Sequence, residues 1–221
     1  MKVYTYYKPV PGIDDKHENK LIELWKSSWA KYGWVPKVLG ERDAQKHTHF
    51  KEYVCTVSKY PTICPIGYNT ACYVRWLAME VVGGGFMCDY DCMNYGFLPP
   101  EAIPDGLVVY EPTPVPCLVS GTAKAFRQFS KIFQELNLQQ FFKHVDKRNP
   151  QGYLNDMTIL FLPQVESQLT KQNIVLDLST PGYENAAVVH YSNHGRVTRG
   201  FKTKCAAIAV CEKVCLAAKQ T

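Results

Sequence analysis

The stretch NTACYVRWLAMEVVGGGFMCDYDCMNYGF, residues 69–97, decides the fold of this chain. Within residues 71–82 the apolar side chains Trp76, Leu77, Met79, Val81 and Val82 fall at the spacing of an amphipathic helix, and Gly83, Gly84 and Gly85 stop it. Phe86, Met87 and Cys88 then read as a short buried strand, with Asp89 and Asp91 at its end. Side chains alternate along extended backbone, so two aspartates two residues apart point the same way. Paired carboxylates are hard oxygen donors, which favour Mg2+ or Mn2+ over zinc.

A D-x-D alone recurs by chance, but the string around it narrows the choice. Arg75 within the helix, Met79, Gly83 and Gly84, Phe86, Asp89 and Asp91 resemble the R-x-x-x-L-x-x-x-G-G-x-Y-x-D-x-D pattern of GT-A glycosyltransferases, with Met for Leu, Phe for Tyr and one additional glycine. The resemblance is to the compact soluble form of that family, of the kind carried by large algal viruses. It implies a single GT-A, Rossmann-like α/β domain over residues 1–221, a central mixed, mostly parallel sheet flanked by helices. It also implies that Asp89 and Asp91 hold a metal bridging the diphosphate of a nucleotide sugar, and that Arg75 contacts the donor. One departure stands out. Related enzymes commonly carry an aspartate three residues before the helix arginine, where this chain has Cys72, so the donor's hydroxyl pattern is expected to differ from that of glucose.

Composition agrees with one enzyme-sized domain. A chain of 221 residues buries a substantial core, and 46% hydrophobic with 13% aromatic residues excludes disorder. The formal charge of +5, with no long basic run, suits an anionic nucleotide and falls short of a nucleic-acid footprint. Nine cysteines, an odd number without any C-x-x-C pair, read as free thiols and not as a disulfide scaffold or structural zinc site. The opening MKVYTYYKPV reads as a strand and not a signal peptide, and no apolar run approaches the ~20 residues of a membrane span. The expectation is a cytoplasmic enzyme, in the host cytoplasm if viral.

Outward from the central stretch, residues 2–7 and 35–39 read as strands flanking a helix at 19–32, whose Trp25 and Trp29 belong to the core. Thr5, Tyr6 and Tyr7 end the first strand, the place where open α/β sheets bind ligands, and are candidates to meet a nucleotide base. His47 and His49 sit in a polar segment, 40–49, and read as exposed loop residues; residues 60–68 read as a loop. Strands are expected at 107–110 and 117–120, and a helix with Phe126, Phe129, Phe133 and Leu136 on one face at 122–138.

Two further constellations carry chemistry. Asn155 and Asp156 stand where a polar turn becomes an apolar helix, the position of an N-cap pair. By resemblance to the family, an acidic residue there faces sugar and acceptor, so Asp156 would be the general base of an inverting reaction, or would place donor or acceptor in a retaining one. Residues 187–189 read as a buried strand with His190 at its end. Several GT-A families close the metal site with a histidine in a segment resembling H-Y-x-G-x-x-K-P-W. His190 and Tyr191 match, the lysine and tryptophan do not, and Arg196, Arg199 or Lys202 could supply the positive charge instead, with His194 as the reserve ligand. The loop 196–202 is expected to close over the site.

Together these give a metal-dependent glycosyltransferase using Mn2+ or Mg2+ and a UDP-sugar donor, with a glycan or other hydroxyl acceptor. Asp89, Asp91 and His190 are its metal ligands, and Asp91 and Asp156 its catalytic carboxylates. Retention of the anomeric configuration is the expected outcome. The alternatives are a non-catalytic glycan- or nucleotide-binding relic of the fold and an aspartyl-nucleophile phosphotransferase, whose D-x-D-x-T or D-x-D-x-V pattern is missed at Met93.

Overall fold

Strand and helix alternate from the start of the chain. β1 (Lys2–Tyr6) and β2 (Val35–Leu39) pair in parallel, joined through α1 (Glu18–Ala30), which turns Leu21, Ile22, Trp25 and Trp29 inward at helical spacing. The computed structural model describes residues 1–9, 17–113, 115–138, 141 and 153–219. The segment expected to be merely polar contains a short helix, α2 (Glu41–Ala44), and is followed by α3 (Phe50–Val57). The central helix, α4 (Ile66–Val81), begins at Ile66 and not at residue 71, because Pro65 at its N-cap is a natural start for a helix and its first turn is exposed.

The glycine stop works as the sequence implied. Gly83, Gly84 and Gly85 have φ of +92°, +84° and +123°. At Gly84 a Cβ would lie 2.5 Å from the Gly121 carbonyl oxygen and 2.6 Å from the Ala123 nitrogen, so no other residue fits. The chain then enters β3 (Gly84–Cys88), every residue of which is buried.

β3 lies in the middle of a six-stranded sheet ordered β2-β1-β3-β6-β5-β7, completed by β5 (Val108–Val109), β6 (Leu118–Thr122) and β7 (Thr170–Lys171). The β1–β2, β1–β3 and β5–β7 pairs are parallel, while β6 runs antiparallel to β3 and β5. Burial on both faces follows the strand period of two. Val3, Phe86, Cys88, Val108 and Leu118 enter one core with the tryptophans of α1. Tyr4, Met87, Val109 and Val119 enter the other with α4 and α5 (Ala123–Gln134). There Trp76 packs against Phe126, Phe129 and Phe133 at ring centroid distances of 5.6, 6.1 and 5.0 Å. Burying one such ring contributes about 1.5–3 kcal/mol.

A second sheet was not evident from sequence. β4 (Cys92–Asn94), β8 (Val175–Asp177) and β9 (Val188–His190) form it in the order β4-β9-β8. The Trp29 indole donates to the Cys92 carbonyl at 2.9 Å and fixes α1 on its edge. Short helices α6 (Asp156–Leu160), α7 (Pro163–Glu166) and α8 (Asn193–Thr198) and the longer α9 (Lys204–Ala217) complete the described residues. All nine cysteines are free thiols, and among the described residues no helix is long and apolar enough to cross a membrane.

Candidate metal and donor site

The D-x-D turns the chain from one sheet into the other. The Asp89 N–H donates to the Cys117 carbonyl at 2.8 Å, continuing the β3–β6 pairing by one residue, and the Cys92 N–H reaches back to the Asp89 carbonyl at 3.0 Å. β4 starts at once, in antiparallel register with β9, so that Cys92 lies opposite His190, and the Tyr191 N–H donates to the Asp91 carbonyl at 2.9 Å. That register brings the imidazole to the aspartates. The potential ligand atoms of Asp89, Asp91 and His190 all lie within 4.8 Å of one another.

His190 is held from both sides. Its Nε2 is 3.6 Å from Asp91 Oδ1 and its Nδ1 is 3.8 Å from Asp177 Oδ2, since Asp177 is its parallel partner on β8. The Ser179 N–H and hydroxyl donate to Asp177 Oδ1 at 2.9 and 2.6 Å. A carboxylate behind an imidazole fixes its orientation and raises its basicity toward a metal. Gly195 permits the arrangement, because a Cβ there would stand 2.7 Å from Asp177 Oδ1.

Cations answer both aspartates. Arg75 donates from Nη1 to Asp89 Oδ1, and Lys204 Nζ donates to Asp91 Oδ2 at 2.6 Å. Burial raises the Asp89 pKa, with the Arg75 guanidinium only partly offsetting it. Burial pulls Asp91 the same way, but the Lys204 ammonium and His190 outweigh it and hold its carboxyl below the usual range. Burial alone would lower His190, yet Cys117 and Asp91 beside it push it up to about 10. Charge on the carboxylates is therefore balanced by groups that a divalent ion would displace or replace.

Asp156 is the first residue of α6, and Asn155 is its N-cap, accepting from the Thr158 N–H at 2.8 Å. Asp156 Oδ2 accepts from Arg75 Nε at 3.0 Å, Arg75 Nη2 at 2.7 Å and the Trp76 indole at 3.0 Å, while Oδ1 accepts from the Met157 N–H at 2.9 Å. Its side chain is 5% exposed. A carboxylate so engaged is placed to hold Arg75 in one orientation.

A cleft of 260 Å³ opens over this cluster, lined by Tyr6, Tyr7, Tyr68, Arg75, Asp89, Asp91 and Lys204 among others. Tyr7 meets Tyr90 edge-on at 5.9 Å. The Tyr6 hydroxyl is buried without a hydrogen-bond partner, and so is Thr5 Oγ1. Thr5 is 1% exposed and does not border the cleft. Other expected residues lie elsewhere. Arg196 donates from Nη1 to the Phe201 and Lys202 carbonyls, both at 2.9 Å, pinning the turn after α8, so the stretch expected as a closing loop is half helix and tied down. Neither Arg196 nor Lys202 borders the cleft, and His194 is exposed. His47 is not an exposed loop residue: its side chain is 13% exposed and its Nε2 meets Glu80 Oε1 at 2.9 Å. A larger cavity of 720 Å³ lies there between α3, α4 and α5, its buried Glu80 already paired with His47 and Arg127.

Lys204 and Asp177 were missed from sequence, though each leaves a trace. Asp177 ends a short apolar run, I-V-L-D, as Asp89 does. Lys204 sits at the first position of a helix, where the dipole disfavours a cation unless an acid faces it.

Comparison with known proteins adds the following. A family model described as a domain of unknown function (DUF8765) matches residues 1–101. No curated protein matches the chain. Among solved structures it is similar to the crystal structure of a glycosyltransferase involved in the glycosylation of the major capsid of PBCV-1, with a TM-score of 0.51 and 9% sequence identity over 96% of this chain and 98% of that one. At that identity the likeness is one of fold, and the chain has the mixed α/β, glycosyltransferase-like fold with a central, mostly parallel sheet flanked by helices.

Proposed function

We propose that the protein transfers a sugar from a nucleotide diphosphate donor, a UDP-sugar, to a hydroxyl of a glycan acceptor with the help of Mn2+ or Mg2+. The observation that carries this reading is the convergence of Asp89, Asp91 and His190 within 4.8 Å at the end of β3, beneath a cleft edged by tyrosines and cations. Two carboxylate oxygens and one imidazole nitrogen suit a divalent ion of hard to borderline character. Asp89, Asp91 and His190 would hold it, and when bound it supplies Lewis-acid stabilisation of the leaving diphosphate.

The chain's own groups do the rest. Lys204, which pairs with Asp91 and borders the cleft, would take the place foreseen for Arg196 or Lys202 and face the diphosphate as the bond from the anomeric carbon to the β-phosphate oxygen breaks. Arg75 is held by Asp156 and Asp89 in one orientation toward the donor. Tyr6 and Tyr7 line the cleft and offer aromatic surface to the base. Each carboxylate lining the cleft among the described residues, Asp89, Asp91 and Asp156, has a cationic partner. This favours a retaining reaction, in which the departing phosphate oxygen takes the acceptor's proton.

Calorimetric titration of UDP with and without Mn2+, followed by a screen of UDP-sugars for metal-dependent hydrolysis with the product anomer read by NMR, tests the reading. Asp91→Asn should abolish metal-dependent UDP binding and turnover while circular dichroism stays unchanged. Full UDP affinity in chelator, or near-normal turnover by this variant, would count against it.

A further inference from the structure

Directly behind the aspartates lies a second donor set. Cys92 opens β4 and Cys117 immediately precedes β6, and the Asp89 N–H bond to the Cys117 carbonyl holds the two segments together. Cys92 Sγ lies 3.6 Å from that same carbonyl oxygen. The Cys92 and Cys117 sulfurs and a His190 ring nitrogen all lie within 4.8 Å of one another. Both cysteines have no exposure, and the His190 side chain keeps 12%.

Buried cysteines usually act as small hydrophobic groups. What separates this pair is the imidazole that closes the triangle, because two sulfurs and a nitrogen form the donor set of a thiophilic ion and not of Mg2+ or Mn2+. Tetrahedral zinc, with Zn–S of about 2.3 Å and Zn–N of about 2.0–2.1 Å, needs donors roughly 3.5–3.8 Å apart, so a contraction of about 1 Å at most completes the triangle.

We propose that Cys92, Cys117 and His190 form a binding site for a thiophilic divalent ion, Zn2+, distinct in chemistry from the aspartate site and sharing one ligand with it. On binding, the protons held by the two thiols and by the His190 imidazolium pass to solvent, leaving two thiolates and a neutral imidazole that balance the ion's charge. His190 cannot fully serve both sets. Zinc in the sulfur site therefore draws the imidazole away from Asp89 and Asp91 and weakens the hold on Mn2+, which makes zinc an antagonist of the hard cation. The zinc site itself stands without the glycosyltransferase reading; only the antagonism rests on it.

Cobalt is the probe. Co2+ titrated into the metal-free full chain should give a thiolate-to-cobalt charge-transfer band at one ion per chain, displaced by Zn2+. The band should vanish in Cys117→Ser and Cys92→Ser and persist in Asp89→Asn. If a serine variant fails to fold, Cys117→Ala and Cys92→Ala carry the same test with apolar side chains. Zn2+ at saturation should weaken Mn2+ binding, read by electron paramagnetic resonance, by about tenfold or more. Absence of the cobalt band, or a band indifferent to both cysteine substitutions, overturns the site, and Mn2+ affinity unchanged by zinc overturns the sharing of His190. The cobalt readout involves neither UDP nor sugar, so failure here and failure of the proposed transfer reaction are seen separately.

Discussion

Replacing Asp156 separates a positioning role from a proton-transfer role. In Asp156→Ala the Arg75 guanidinium, whose side chain is 12% exposed, loses two hydrogen bonds and a countercharge, and the buried Trp76 indole N–H loses its acceptor. Breaking a buried ion pair by removing one partner costs about 3–5 kcal/mol. Arg75 keeps Asp89, which places the loss near the lower end, and the orphaned indole adds about 1–3 kcal/mol, partly overlapping the first figure. A net loss of about 3–5 kcal/mol is a large part of the roughly 5–15 kcal/mol that holds a domain folded. For a chain of this size it lowers Tm by roughly 6–20 °C. Asp156→Asn keeps the shape and one acceptor oxygen but not the charge, so it should lose less stability and raise KM for the donor through a looser Arg75. A general base predicts the opposite pattern: an unchanged Tm and a fall in kcat of about 10²- to 10⁴-fold in the asparagine variant. Thermal melts followed by circular dichroism, paired with donor hydrolysis kinetics, distinguish the two. Tm within a degree of the parent in Asp156→Ala would refute the reasoning from burial and hydrogen bonding.

Three more outcomes follow from the geometry. Gly84→Ala should destabilise by about 3 kcal/mol or more in urea unfolding, since a positive φ costs about 1–2 kcal/mol and the overlap with the Gly121 carbonyl and the Ala123 nitrogen adds about 1–3 kcal/mol; a loss under 1 kcal/mol would contradict the close approach. Lys204→Met should weaken UDP binding at fixed Mn2+ by about tenfold, and Arg196→Ala should leave it unchanged, because only the lysine borders the cleft; the reverse order would restore the arginine as the diphosphate cation. Asp177→Asn should reduce Mn2+ affinity by about 10- to 100-fold with Tm little changed, as expected of a carboxylate that orients a ligating histidine, and equal affinity would remove Asp177 from the site.

The local elements were legible in sequence because burial gathers apolar side chains into short runs in strands and into a helical spacing in helices. Short apolar or β-prone runs marked β1, β2, β3 and β6, helical spacing marked α1, α4 and α5, and Asn155 announced its helix by capping it. The glycine run set where α4 stops and β3 begins, and the D-x-D therefore had to fall at a strand end. Errors gathered where no period exists. The turn-rich segments hid α2 and α3, and two- or three-residue strands such as β4 and β8 are too short to show alternation.

The composition of the site was decided by tertiary structure. The sequence by itself placed Asp89 and Asp91 on one strand end and His190 on another. Only the antiparallel register of Cys92 with His190, and the parallel register of His190 with Asp177, made them neighbours. Arg75 meets Asp156 across 81 residues of chain, and Lys204 meets Asp91 across 113. Contacts at such separations leave no local pattern, since each partner only has to sit at an element's end and the sheet order decides which ends converge. Chain order likewise favoured Arg196 and Lys202 as the basic groups following the histidine, whereas the pinned turn after α8 directs Arg196 to its own backbone and presents Lys204 instead.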